Sequence, residues 1–198
     1  LVGMPGSGKS NLVYSLICKK GFAYNKKFEF VAIFSASFKT LDKKIKLPDD
    51  QMISGLDMYK LQEVMDRIED GGLRALLIFD DVIAHIRKGM PEFRKLIWNR
   101  RHLGAGTSIM LVSQRLNAIP LELRATATGM FMWASQNQLE LEILRKEFSG
   151  LKEEEFRKVL RAVYQVPYDF MYIDMTHGRA DIYRNFNLLK ITTNEDER

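Results

Sequence analysis

The sequence predicts an α/β fold: a mostly parallel sheet with helices on both faces, closed by a C-terminal β-hairpin. Three observations predict it. A glycine-rich loop lies between an apolar strand stub, Leu1-Val2, and an apolar stripe of helical spacing. Largely apolar runs recur at Phe28–Phe34, Ala75–Phe79, Ser108–Val112 and Met130–Ala134. Segments of helical period separate them. Runs apolar at nearly every position, rather than at alternate ones, are strands buried on both faces, as in a parallel sheet covered by helices.

The elements follow in order. Leu12, Val13, Leu16 and Ile17 share one face of the first helix, and Gly21 stops it. Cys18, beside that face, reads as a packed small residue. The strand Phe28–Phe34 ends in Ser35-Ala36-Ser37. Residues 39–53 are lysine-rich and loop-like around Pro48-Asp49-Asp50. A helix follows with Ser54 as its cap, Asp57 three residues on, and Met58, Leu61, Met65 and Ile68 as its stripe. Gly71-Gly72 ends it. The strand Ala75–Phe79 runs into Asp80-Asp81. Pro91 starts a helix with Phe93, Leu96 and Ile97 inward, and Ser108–Val112 leads to Ser113-Gln114-Arg115. Two more helices lie around Leu139–Phe148 and Lys152–Tyr164, the second with Glu153, Glu154 and Glu155 at the positive end of its dipole. Phe170–Asp174 and Ile182–Phe186, joined across His177-Gly178, form the closing hairpin. Residues 1–191 are expected to make one domain with a shortened first strand, and Thr192–Arg198 a frayed polar tail.

Composition narrows the classes. Hydrophobic content of 46% and charged content of 28% fit an ordinary soluble globular protein. No apolar run approaches the ~20 residues needed to cross a bilayer, and no signal peptide is expected. A single cysteine rules out an internal disulfide framework and fits a reducing, intracellular setting. His85, His102 and His177 are scattered, without metal-ligand spacing. The formal charge is +5, and the first 50 residues hold nine lysines against Glu29, Asp42, Asp49 and Asp50. That excess suits a polyanionic partner such as nucleic acid, and equally a solvated surface.

The chemistry concentrates in Gly3-Met4-Pro5-Gly6-Ser7-Gly8-Lys9-Ser10, which matches G-x-x-x-x-G-K-[ST] at every fixed position. Its glycines let the backbone curl until successive N–H groups point at one anion. Lys9 then reaches β- and γ-phosphates, the Ser10 hydroxyl ligates Mg²⁺, and the following helix adds the partial charge of its N-terminus. Gly3, Pro5, Gly6, Ser7, Gly8, Lys9, Ser10 and Asn11 are therefore the candidate ATP-binding residues. Asp80, closing an apolar strand, is placed to position Mg²⁺ through water. Asp81 is the candidate general base or water-orienting group, its alternative being a cap for the segment Val82–Arg87. Gln114 is the candidate sensor of the γ-phosphate. Arg100, Arg101, Arg115 and Arg124 are candidates for an arginine finger acting in trans, with Arg101 favoured because it ends a helix just ahead of the Gln114 strand. Trp98 and Trp133 read as core or interface aromatics.

With these residues in hand, the chain resembles the FtsK–HerA superfamily of P-loop NTPases (ASCE, RecA-like), and within it the poxvirus-type genome-packaging ATPases of large DNA viruses. The loop GMPGSGKS (3–10), the strand ALLIFDD (75–81), the segment NRRHLGAGTSIMLVSQR (99–115) and the ending YDFMYIDMTHGRADIYRNF (168–186) carry the resemblance. It implies a pentameric or hexameric homo-oligomeric ring that hydrolyses ATP with Mg²⁺ at subunit boundaries. Such a ring translocates double-stranded DNA into a capsid. It also implies capsid or virion membrane proteins as partners, and the host cytoplasm (the viral factory) or the virion as location. In the family's terms Lys9 and Ser10 bind phosphate and metal, Asp80 serves the metal, Asp81 activates water and Gln114 senses. The chain departs from relatives in having Asp81 where many cellular members have Glu, and Arg100-Arg101 where Gly-Arg is frequent.

Two other readings stay open at this level. G-x-P-G-S-G-K also resembles nucleotide or small-molecule kinases, although no arginine-rich lid segment is evident. A nucleotide-gated assembly module would bind ATP without turnover. Lys39, Lys43, Lys44 and Lys46 line either a DNA-tracking pore or a solvated loop. A motor's contacts would go to phosphates, because it must tolerate every sequence.

Overall fold

In the computed structural model, which describes residues 1–22, 24, 26–36, 45–82, 90–178 and 180–190, the chain divides into two compact units. One is Gly8–Ser113; the other is Leu1–Ser7 with Gln114–Arg198. Each carries its own four-stranded sheet.

In the first unit, β1 (Phe30–Ser35), β2 (Met52–Ser54), β3 (Ala75–Asp80) and β4 (Thr107–Val112) are all parallel, in the order β2-β1-β3-β4. The expected apolar runs fill the two central strands. Every residue of Ala75–Phe79 is at most 1% exposed, which is why this segment shows no alternation. Phe79 stacks on Phe34 at 5.0 Å and meets Phe93 edge-on at 4.8 Å. Helices flank the sheet: α1 (Lys9–Cys18) buries Leu12, Val13 and Leu16, α2 (Met58–Asp70) buries Leu61, Val64 and Ile68, and α3 (Met90–Asn99) buries Phe93, Leu96 and Ile97.

Three local expectations are revised. Asp57, not Ser54, caps α2: its carboxylate accepts from the N–H groups of Tyr59 at 2.8 Å and Lys60 at 3.3 Å. Ser54 is committed elsewhere, because it pairs with Ser35 at the end of β2, and Gly55 then turns the chain at a φ of 72°. Part of the expected 39–53 loop is thus ordered as a 3₁₀ turn (Asp49–Gln51) and the edge strand β2. Cys18 is exposed rather than packed.

In the second unit β5 (Gly129–Trp133), β6 (Phe170–Asp174), β7 (Asp181–Arg184) and β8 (Asn187–Leu188) pair antiparallel in sequence order. The closing hairpin is present, with β8 added after the turn at Asn185-Phe186. One face, Met130, Met132, Met171, Ile173 and Ile182, is buried. The other is aromatic: the register sets Phe131 opposite Tyr172 and Tyr172 opposite Tyr183, with the first two rings stacked at 4.4 Å. The strand stub is anchored here. Val2 bridges in parallel to Met132, its N–H donating to Phe131 O at 2.8 Å and its carbonyl accepting from Trp133 N at 3.0 Å.

This unit's helices are α4 (Leu121–Ala125), α5 (Gln138–Ile143) and α6 (Glu153–Val163). The expected helix 139–148 loosens after Ile143 into a π-helical turn, Leu144–Ser149, which Gly150 ends in the left-handed region. The short α4 and the 3₁₀ turn Leu116–Ala118 before it were not foreseen. Among the described residues, no helix is long and apolar enough to cross a membrane.

Candidate nucleotide site

Within the parallel unit the site grows from the two ends of short segments. Gly8 precedes α1 at a φ of 109°, a conformation that a side chain would strain. No side chain caps the helix there and no acidic residue stands in its first turn. The N-terminal partial charge therefore meets no protein carboxylate from its own helix, which leaves it to an incoming anion. Ser10 and Asn11 occupy the same turn, Ser10 half-buried and Asn11 exposed.

Lys9 is only 8% exposed. Burial pushes its ammonium below the ordinary lysine value, while the Asp81 and Asp80 carboxylates pull it back up. A buried cation is costly unless opposite charge compensates it, and the charges of these two acids act in that sense. Asp80 ends β3 directly opposite Ser35. Its carboxyl lies above the ordinary value, chiefly from burial. A hydrogen bond from the Ser35 hydroxyl to Oδ2, at 3.0 Å, works against that rise; the Asp81 charge adds to it and Lys9 opposes it. Asp81 is exposed, and its N–H donates to Val112 O at 3.0 Å. Its φ of 52° turns the chain sharply off the strand, in a region that Asp visits more readily than most residues.

The arrangement thus joins a buried cation at a helix N-terminus to one half-buried and one exposed carboxylate. It can hold a polyphosphate, and it offers hard oxygen donors, Ser10 and Asp80, for a cation. Among the described residues no group of three His, Cys, Asp or Glu could enclose a metal. That donor set suits Mg²⁺, which takes one or two protein oxygens and completes its shell with phosphate and water.

The second unit carries the start of the loop and the expected sensor. A Cβ at Gly3 would come within 2.7 Å of Ser7 Oγ and 3.0 Å of Trp133 Cβ, so only glycine fits between them. The Ser7 hydroxyl is itself buried with no hydrogen-bond partner among the described residues. Gln114 is exposed. Two residues on, Leu116 N donates to the buried Glu140 carboxylate at 2.9 Å, whose other oxygen accepts from Ser135 Oγ at 2.8 Å. Lys9, Ser10, Asp80 and Asp81 therefore share one unit, while Gly3–Ser7 and Gln114 belong to the other.

The arginine candidates separate by what holds them. Arg124 grips Glu147 with two nitrogens, at 2.7 and 2.9 Å, and donates to Ile119 O. Arg100 is half-buried and donates to Ile97 O at 2.9 Å. Both are thereby fastened within their own units, whereas Arg101 and Arg115 are exposed. Trp98 is 64% exposed and Trp133 buried, so the two indoles have different settings. Lys46 is exposed; Lys39, Lys43, Lys44, most of the segment after Val82, and the tail 192–198 lie outside the described residues.

Sequence reasoning missed Ser35 and Glu140. Each is a polar residue whose partner is far along the chain, and only strand register or helix packing reveals it.

Neither a protein-family model nor a curated protein sequence matches the chain. Solved structures do share its fold. The genome packaging NTPase B204 from Sulfolobus turreted icosahedral virus 2 superposes with a TM-score of 0.67 at 20% identity, over 96% of this chain and 95% of that one. That protein has been solved in complex with sulfate, ATP-gammaS, AMPPCP and AMP. B204 from Sulfolobus Turreted Icosahedral Virus, a DNA-packaging ATPase, gives 0.62 at 20% identity over 92% and 94%. EssC (ATPases 2 and 3) from Geobacillus thermodenitrificans gives 0.55 at 18% identity, over 94% of this chain but 37% of its own. The α/β fold expected from the sequence is thus shared with these NTPases.

Proposed function

We propose that this chain is an FtsK–HerA-type ATPase that hydrolyses ATP to drive double-stranded DNA into a viral capsid, residues 1–191 acting as one ATPase domain. One observation carries the reading. A buried lysine at a helix N-terminus, flanked by the Asp80 and Asp81 carboxylates, sits in a fold that matches a genome packaging NTPase over nearly the full length of both chains.

The chain's residues divide the work. Lys9 and the N-terminus of α1 bind the β- and γ-phosphates. Ser10 and Asp80 would hold Mg²⁺. That ion, when bound, neutralises charge on the phosphates. Asp81, exposed and beside Lys9, accepts a proton from water at the γ-phosphate. Gln114 senses the γ-phosphate, and Arg101, exposed at the end of α3, reaches a neighbouring subunit's nucleotide as a finger. These roles make a homo-oligomeric ring, pentamer or hexamer, the working form. Capsid or virion membrane proteins would dock it, in the viral factory or the virion. The basic excess of the first 50 residues supports contact with DNA phosphates.

The test is ATP hydrolysis with and without double-stranded DNA, beside Asp81→Asn. DNA-stimulated turnover that disappears in the variant is the expected result. Turnover indifferent to DNA but dependent on an added nucleoside monophosphate would instead identify a kinase. Nucleotide binding without turnover would identify an assembly module.

A further inference from the structure

Ser35 has no place in the loop, carries no charge and is fully buried, yet it touches the acid on which the site depends. It is the last residue of β1, and the parallel register sets it directly opposite Asp80, the last residue of β3. Its hydroxyl donates to Asp80 Oδ2 at 3.0 Å. The backbone reinforces the pairing: Ala36 N donates to Asp80 O at 3.3 Å, and Ser35 O accepts from Gly55 N at 2.7 Å. Ser35 is 0% exposed, so no water competes for its proton.

We infer that Ser35 is a positioning residue for Asp80: its hydroxyl occupies one carboxylate oxygen, fixes the carboxylate plane, and so commits the other oxygen to the hydrated cation that accompanies the nucleotide. The inference rests on the proposed ATPase reading, because it needs a cation at Asp80. A carboxylate about a C–C bond rotates freely unless something holds it, since this terminal torsion is broad. Holding a ligand by a hydrogen bond to its second atom is how outer-shell groups tune metal sites, and removing them costs about 10–100-fold in metal affinity. Two charges also act on this acid and pull in opposite directions, Asp81 raising its carboxyl and Lys9 lowering it. Ser35 alone among these three restrains its direction without adding charge.

The experiment measures ATP-gammaS binding by calorimetry across a Mg²⁺ series for wild type, S35A, S35C and S35T. Metal-free binding reports the loop, and the Mg²⁺ concentration for half-maximal enhancement reports Asp80. The expected result is unchanged metal-free affinity in all four, with half-maximal Mg²⁺ raised about 10-fold or more in S35A. S35C keeps the volume but donates weakly and should behave as S35A; S35T keeps the hydroxyl and should recover the wild-type value. Melting temperatures measured alongside exclude unfolding, and S35C stands in should S35A or S35T fail to fold. An unchanged Mg²⁺ requirement in folded S35A and S35C overturns the role of Ser35 and leaves the ATPase reading intact. A wild-type protein that binds nucleotide with no Mg²⁺ dependence overturns both.

Discussion

The two sheets of this molecule put their polar residues to different uses. In the parallel unit the two central strands, β1 and β3, are apolar up to their carboxyl ends, where Ser35 and Asp80 close adjacent strands and Asp81 follows. In the antiparallel unit polar groups stabilise turns. There Asp169 accepts from the N–H groups of Gln165 and Val166, from Asn185 Nδ2 at 2.9 Å and from Arg184 at 3.0 Å, tying the loop before β6 to the turn between β7 and β8. A parallel ladder aligns all its strand ends on one side, so reactive groups accumulate there. An antiparallel meander alternates its ends, and its polar groups serve the connections.

If that division holds, substitutions should separate cleanly into those that stop chemistry and those that loosen the fold. The largest effect is expected for Asp81→Asn, which keeps the shape and removes the proposed base. Its kcat should drop about 10²–10⁴-fold while KM and the melting temperature stay near wild type. Lys9→Ala should lower kcat about 10²–10³-fold, and it should also weaken nucleotide binding by calorimetry. A retained rate in either variant would break the comparison, because chemistry would then have to come from elsewhere.

Stability variants sharpen it. Phe79→Ala removes a ring held between Phe34 and Phe93 and should cost about 3–5 kcal/mol in urea unfolding. Asp169 tests the other sheet. Burial pushes its carboxyl up, but hydrogen bonds from Val166 N–H, Asn185, Gln165 N–H and Arg184 outweigh it and hold the value at about 2. The folded value thus lies below the unfolded one of about 3.9. Its stabilisation is therefore complete above about pH 4 and is lost as pH falls through about 2. Urea midpoints followed from pH 5 to pH 2 should fall less steeply in Asp169→Asn, with kcat at neutral pH little changed. Smallest of the set, Asp57→Ala should cost about 1 kcal/mol through the lost helix cap, read by thermal melting.

How much of this was legible in the sequence differs between the same two regions. The loop, Asp80 and Asp81 were legible because local order fixes them: a motif of fixed spacing and an apolar run that ends abruptly. Ser35 was visible only as the polar end of a strand, since nothing local says which residue will stand opposite it. Ser54 and Asp57 were both good caps on composition, and long-range pairing of Ser54 with β1 decided between them. In the other unit Met130–Ala134 read as one more apolar strand. Its antiparallel partners are some 40 residues downstream, and no local signal names them. The π-helical turn after Ile143 keeps a helical apolar pattern, so it could not be told from α-helix by period.

The left-handed backbone at Asp81 limits what this position can become. Few L-residues occupy that region without strain, chiefly Asn and Asp beside glycine, and of these only Asp carries a negative charge. A change to Glu would lengthen the arm but set the larger side chain against the φ of 52°. Asn and Gly would keep the turn and lose the carboxylate. In the space of single substitutions the position is therefore isolated: a carboxylate on a longer arm first requires the turn after β3 to be rebuilt.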